Sequence, residues 1–290
     1  MKKIKILPTS HKVNRSFGGT VGLFLFILTV ACFMALPMVL IISNSFKPLD
    51  ELWAFPPKLF PVQPTLRNYS DMMDVMADSL VPFTRYLSNT VFITFAGTLG
   101  HIILSSMCAF VFAKKSFPGR KVMFETVVLT LMFNATVTAI PNYLVMAKLG
   151  WINTLFSLVV PALASPLGLY LMKQFMEQSI PDALIEASRV DGASQFVIFW
   201  RIVMPNVKPA WLTLMLLSVQ SLWNIGGTTY IFSDEKKTLA YALHQITTAG
   251  IARAGVSAAV SVVLMSVPIG IFLFSQSKII ETMAASGMKD

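Results

Sequence analysis

The sequence predicts an all-α membrane protein with six transmembrane helices, and three observations lead there. Of 290 residues, 55% are hydrophobic and only 13% are charged. The mean hydropathy of +0.67 stands well above that of an ordinary soluble domain. Leu, Val, Ile, Phe and Met also come in runs of about twenty, the length a helix needs to cross roughly 30 Å of hydrocarbon. The net charge of +9 does not call for nucleic acid, because an orientation signal in the loops explains it more simply.

The apolar runs place spans at 18–43, 88–113, 122–147, 153–172, 209–232 and 256–278, all within one membrane domain covering 1–290. The first follows Lys2, Lys3, Lys5, Lys12 and Arg15 and so resembles a secretion signal. Its apolar run is too long for one and no A-x-A-like cleavage site follows, so it is expected to stay as an anchor. Segment 44–87 is the longest external stretch. Pro48, Pro56, Pro57, Pro61 and Pro64 bar a long helix at its start, and Trp53, Phe55 and Phe60 suit the membrane–water boundary. An interfacial cap is the plainer reading and a dedicated binding surface the other; 68–77 fits a short surface helix. Pro161 and Pro166 interrupt the fourth span, where neighbouring helices can satisfy the freed carbonyls.

Lys and Arg orient the bundle. With the N-terminus inside, the inner segments carry fifteen of the 23 and the outer segments eight, which favours both termini in the cytoplasm. The sharpest inner anchor is Lys114-Lys115-Ser116-Phe117-Pro118-Gly119-Arg120-Lys121.

What is missing narrows the function. There is no G-x-x-x-x-G-K-[ST] phosphate loop, so the chain is not expected to hydrolyse nucleotides. His11, His101 and His244 lie far apart, and Cys32 and Cys108 fall in separate spans, so metal-ligand spacing is absent. His101 is polar at membrane depth and therefore a functional candidate, although a buried hydrogen bond to another helix is the more economical role. A membrane-embedded enzyme is the reading from another class, but His101 with Glu125 is no catalytic constellation.

The polar island 173–208 is the most informative stretch. Pro181 suits the first turn of a helix capped at Ser179 or Ile180, with Asp182 at the positive end of its dipole. Ala183, Ala187 and Val190 recur at helical spacing as one small-residue face. Gly192 ends or bends this helix and Ser194 can cap a second. In that second helix Phe196, Phe199, Trp200 and Val203 are expected to lie on the bundle, with Pro205 stopping it.

The spacing E-A-A, three residues, G, nine residues, I-x-L-P is similar to the cytoplasmic-loop signature of permease subunits of binding-protein-dependent ABC importers. Glu186, Ala187, Ser188, Gly192, Ile202, Met204 and Pro205 stand in register, departing at Ser188 (for Ala) and Met204 (for Leu). The phrases Ser179-Ile180-Pro181-Asp182 and Val190-Asp191-Gly192-Ala193-Ser194 resemble the sugar-importer branch, with its smaller maltose permease subunit. So do Asn68-Tyr69, Ser88-Asn89-Thr90 and Trp223-Asn224.

The resemblance implies the type I importer permease fold, six helices with a cytoplasmic coupling loop, in a bacterial inner (cytoplasmic) membrane. It implies that the first loop helix docks in a cleft of a separate ATPase, with Glu186 as charged anchor, Ala187 and Ser188 as the close-contact face, Asp191 beside them and Gly192 as the turn. ATP and Mg would be bound by two nucleotide-binding subunits and no cofactor by this chain. The other implied partners are a second, different permease and an extracytoplasmic solute-binding protein carrying a sugar. Gly287 and Lys289 in the tail would reach the ATPase. Polar residues within the spans are the candidates for the solute path: Asn134, Thr138, Asn142, Tyr143, Gln220, Trp223 and Asn224, each equally able to be interhelical glue. A non-sugar cargo, such as a polyamine or peptide, is the alternative within the same machine.

Overall fold

The computed structural model describes residues 17–77, 81–248 and 253–286. The cations from Lys2 to Arg15 and the tail positions Gly287 and Lys289 lie outside the described residues. Among the described residues every regular element is helical: besides the single turns Leu49–Leu52 and Asp234–Lys236, these are α1 Phe17–Ser45, α2 Arg67–Ala77, α3 Phe83–Lys114, α4 Arg120–Thr130, α5 Ala135–Lys148, α6 Phe156–Leu163, α7 Pro166–Ser179, α8 Asp182–Val190, α9 Gln195–Asn206, α10 Lys208–Trp223, α11 Leu239–Thr247 and α12 Ala254–Ser286.

Four helical stretches are long and apolar enough to cross a membrane: Gly18–Ser45, Phe83–Lys114, Phe156–Ser179 and Ala254–Gln276. The pair α9 and α10, bent by 79°, makes a fifth if taken as one span. The expected third helix, 122–147, is divided into α4 and α5. Asn134 starts α5 afresh, its side chain accepting the Thr136 N–H at 2.9 Å, so the break carries its own cap. The fourth stretch breaks between Leu163 and Pro166, where Pro166 opens α7 at a position that needs no N–H. The fifth helix stops at Trp223, well short of 232, and the chain beyond it turns irregularly.

Helix α3 is the centre of the bundle, with α6, α7 and α10 packed along it. Close approach is possible because the contact points are small. A Cβ on Gly97 would lie 2.6 Å from Leu222, one on Gly100 2.5 Å from Leu163, and one on Gly168 2.1 Å from His101 Nε2. The His101 ring fills the space over Gly168 and its Nδ1 pairs with Ser218 Oγ at 2.8 Å. His101 is thus a tie between α3 and α10, of a kind that contributes about 0.6 kcal/mol in membranes.

The end of the bundle away from Lys114 is held by side-chain amides reaching backbone carbonyls. Asn68 Nδ2 donates to Ser45 O (2.9 Å) and Lys47 O (2.8 Å), and Tyr69 OH pairs with Ser45 Oγ at 2.9 Å. Asn89 Nδ2 donates to Glu235 O and Lys237 O, and Thr90 Oγ1 accepts the Leu239 N–H at 2.8 Å. Between α1 and α2 the proline-rich chain is closed by Lys47 Nζ on Lys58 O (2.6 Å) and by Glu51 accepting the Val62 N–H (2.7 Å). Phe55 and Phe60 stand out of this cap, consistent with a place at the membrane surface.

The crossing at Gly168 yields a contrast. Gly168→Ala should destabilise the folded chain by about 1–3 kcal/mol through overpacking. Gly22→Ala, on an open face of α1, should not. Thermal unfolding of the two variants in detergent checks this, and equal midpoints would contradict the crossing.

Candidate functional site

The island begins later than its composition suggests. Helix α7 continues through Ser179, so the loop proper is 180–207. Pro181 lies at the N-cap of α8 rather than in its first turn, and Asp182 opens the helix. The start of the loop is fastened to the basic end of α3, and the end of α7 just before it to the start of α4. Lys114 Nζ donates to Ile180 O at 2.6 Å and to Asp182 Oδ1 at 2.8 Å. Arg120 meets Glu177 at 3.2 Å, and Lys173 meets the same carboxylate at 2.7 Å. Lys114, by its hydrogen bond and its charge, holds the Asp182 carboxyl below the usual carboxylate range.

Helix α8 has two unlike faces. Ile185 and Ser188 point inward, with Ser188 Oγ donating to Leu184 O at 2.7 Å. Ala183, Ala187 and Val190 form the opposite, exposed stripe, with Glu186 beside it. Val190 is 88% exposed, an apolar side chain at the tip of a projecting helix. The placement of Ser188 differs from expectation. At 8% exposure it belongs to the buried face, because it lies one helical step (i+3) from Ile185, so Ala187 does not share the outward face with it.

The turn after α8 explains its glycine. Gly192 has φ +80°, its N–H bonds Arg189 O, and the Ala193 N–H bonds Ser188 O, both at 3.0 Å. This is a Schellman closure, which needs a left-handed residue at the position Gly192 holds. Asp191 is exposed just before it. Ser194 then caps α9, accepting the Val197 N–H.

Helix α9 departs from the expected 3.6-residue face, because 198–203 is π-helical. The wider turn aligns Ile198 with Val203, and these two with Phe199 are buried. Phe196, expected on the bundle, is 68% exposed, while Trp200 is 38% exposed and packs edge-on against Phe196 and Phe199. Ile202 and Met204 are half-buried and Pro205 is exposed. Helix α10 then starts at Lys208, and Trp211 Nε1 donates back to Met204 O at 3.2 Å.

Loop and bundle share one core. Ile185, Ile198, Phe199 and Val203 pack with Phe110 and Ala113 of α3, Met172 and Met176 of α7, and Ala210 and Leu214 of α10. A displacement of α8 therefore reaches three membrane helices through contiguous close packing.

The polar residues expected along a solute path are not brought together. Asn134 caps α5, while Asn142 and Tyr143 lie exposed further along it, Tyr143 stacking on Tyr230 at 6.3 Å. Thr138 is half-buried. Gln220 and Asn224 are exposed and linked to each other, Asn224 Nδ2 donating to Gln220 O. Trp223 is buried in the core with Leu239, Leu243 and Val260. Its edge borders an apolar groove of about 570 Å³ between α3, α10 and α12. There its indole N–H and the hydroxyls of Thr94 and Thr98 lack hydrogen-bond partners.

Residues 101–283 match the family model described as binding-protein-dependent transport system inner membrane component. Protein LplC of Bacillus subtilis is 30% identical over 243 residues, 83% of this chain and 80% of that one. The polygalacturonan/rhamnogalacturonan transport system permease protein YtcP of Bacillus subtilis is 28% identical over 222 residues, 77% of this chain and 74% of that one. A chain in the crystal structure of a bacterial ABC transporter that imports the acidic polysaccharide alginate superposes with a TM-score of 0.73 at 25% identity. The superposition covers 94% of this chain and 99% of that one.

The Lys114–Asp182 tie gives a pH expectation. A carboxyl whose folded value is lowered contributes stability above its ordinary value and loses it as pH falls through the lowered one. A spin label on Ala183→Cys should gain mobility as pH drops below the usual carboxylate range. Adding Asp182→Asn should make that mobility high and independent of pH; pH-independent low mobility with Asp182 intact would refute the tie.

Proposed function

The chain belongs to the family of binding-protein-dependent transport system inner membrane components, and on that premise we propose that it is a permease subunit of an ATP-driven carbohydrate importer. In this reading it forms half of the translocation pathway. The observation that carries it is α8: a projecting helix with an exposed small and apolar stripe, clamped at its start by Lys114 and packed at its back into the bundle core. Small side chains at Ala183 and Ala187 allow a partner's surface to approach the helix backbone. The carbohydrate assignment draws on YtcP, named for polygalacturonan/rhamnogalacturonan transport, and on the structural neighbour, a transporter involved in alginate import.

Energy, in this proposal, comes from two nucleotide-binding subunits that hold ATP and Mg and receive α8 in a cleft. Glu186 anchors the contact, Gly192 fixes its turn, and Asp191, Ile202, Met204 and Pro205 keep the loop in register. Ser188 acts from behind by seating α8 on Ile185. Both termini and this loop face the cytoplasm, and a loaded solute-binding protein docks on the opposite side. Asn134, Thr138, Asn142, Tyr143, Gln220 and Asn224 are the residues proposed for the solute path.

A second, different permease is supported by two surfaces without a cover. No residue in the apolar stretch 18–39 of α1 is buried. The groove between α3, α10 and α12 is apolar and lies open. A partner's transmembrane helix would cover both by close packing of apolar side chains.

Reconstitution with the ATPase, the partner permease and a loaded binding protein tests the assignment. Glu186→Lys should abolish most stimulated ATP hydrolysis while membrane insertion is kept. Gly192→Leu should do the same by adding about 1–2 kcal/mol of left-handed strain. Normal solute uptake with both changes would remove the assignment. Deleting the last four residues, from Gly287 to Asp290, should lower stimulated hydrolysis if Gly287 and Lys289 contact the ATPase; an unchanged rate rules that contact out.

A further inference from the structure

We propose that the basic end of the bundle binds one anionic phospholipid per chain, with the headgroup phosphate in a polar cup beside α8 and an acyl chain in the groove that opens from it. The cup is a cavity of about 240 Å³ lined by Lys114, Lys115, Arg120 and Arg189 against Asp182 and Glu186. Its cations are unequally used. Lys114 is committed to Asp182, and Arg120 to Glu177 outside the cup. Among the described residues neither Lys115 nor Arg189 forms an ion pair, and Lys115 Nζ reaches only the neutral amide of Gln195. Burial and the Arg189 charge both push the Lys115 ammonium below its ordinary value, as expected for a cation lacking its counter-ion.

The groove is a separate cavity of about 710 Å³, walled by Met107, Cys108, Val111, Phe117, Met123 and Phe196. Lys115 lines both cavities, so the polar cup and the apolar groove meet at one side chain. They meet at the last residues of a helix long enough to cross the membrane, the depth at which a lipid changes from acyl chain to headgroup. The exposed Phe196, which the π-turn removes from the core, gains a role as one wall of the groove. A free anion would use the cup and leave the groove empty. A zwitterionic lipid would use the groove but bring no net negative charge to Lys115 and Arg189. An anionic phospholipid satisfies both. This assignment does not rest on the transport role.

Native mass spectrometry of the chain, purified with whatever subunits accompany it and stripped of lipid, provides the test. Titration with dioleoylphosphatidylglycerol should give one tightly held lipid per copy, and dioleoylphosphatidylcholine should bind at least about fivefold more weakly. Lys115→Gln and Arg189→Gln should each weaken the anionic lipid by about fivefold, and Lys115→Arg should restore it. Cys108→Trp, which fills the groove, should release the lipid without changing the subunit composition of the assembly. Equal binding of the two lipids would overturn the proposal, as would insensitivity to Lys115→Gln and Arg189→Gln. Inorganic phosphate displacing the lipid while Cys108→Trp has no effect would show a free-anion site instead. An assembly that holds no lipid, its groove covered by another subunit, would also overturn it.

Discussion

The architecture depends on one packing cluster, in which Phe110 and Ala113 of α3 meet Ile185 of α8 and Ile198, Phe199 and Val203 of α9. A loop helix on the membrane surface could be held by charges alone, but exposed charges contribute little and are screened by salt. Here the charges of Lys114, Arg120 and Glu177 fix where the loop begins, while close-packed apolar side chains determine how stiffly it moves. Densely packed interiors rearrange between discrete states rather than deforming gradually, so this cluster gives the loop a mechanical connection to α7 and α10.

The same economy governs the membrane interior. Backbone groups cannot remain unpaired in hydrocarbon, so each interruption of a span carries its own remedy. Asn134 caps the restart of the third stretch, Pro166 opens α7 where no donor is required, and Asn206 returns its side-chain amide to Ile202 O near the end of α9. At the end of the bundle away from Lys114, Asn68 and Asn89 each satisfy two carbonyls, which gives the short asparagine-containing phrases a role where the chain is otherwise apolar.

Much of this was legible in the residues, and the rest was hidden for identifiable reasons. The helical class follows from composition, because hydrophobic runs of membrane length admit little else. The end of α8 was legible because only glycine adopts φ +80° without strain, and the spacing to Pro205 located the loop. Other features have no local signature. The π-turn at 198–203 shifts Phe196 out of a face that regular periodicity assigns to it. Ser188 is indistinguishable from Ala187 in sequence until Ile185 is known to point inward. Trp223 looks like a sugar platform beside Asn224, yet its ring is taken up by Leu239 and Leu243. The division of 122–147 was obscured by continuous hydrophobicity, which reports burial in lipid and not helical continuity.

The bend between α9 and α10 gives the loop a direction of action. Val207, itself buried, joins two helices whose axes differ by 79°, and Trp211 braces the corner against Met204. At that angle only a minor part of a displacement along α9 would be delivered along the axis of α10. It arrives sideways, at the end of a rod whose flank leans on His101 through Ser218. The corner thus has the shape of a bell-crank: a thrust along one arm would become a tilt of the other, with α3 as the fulcrum.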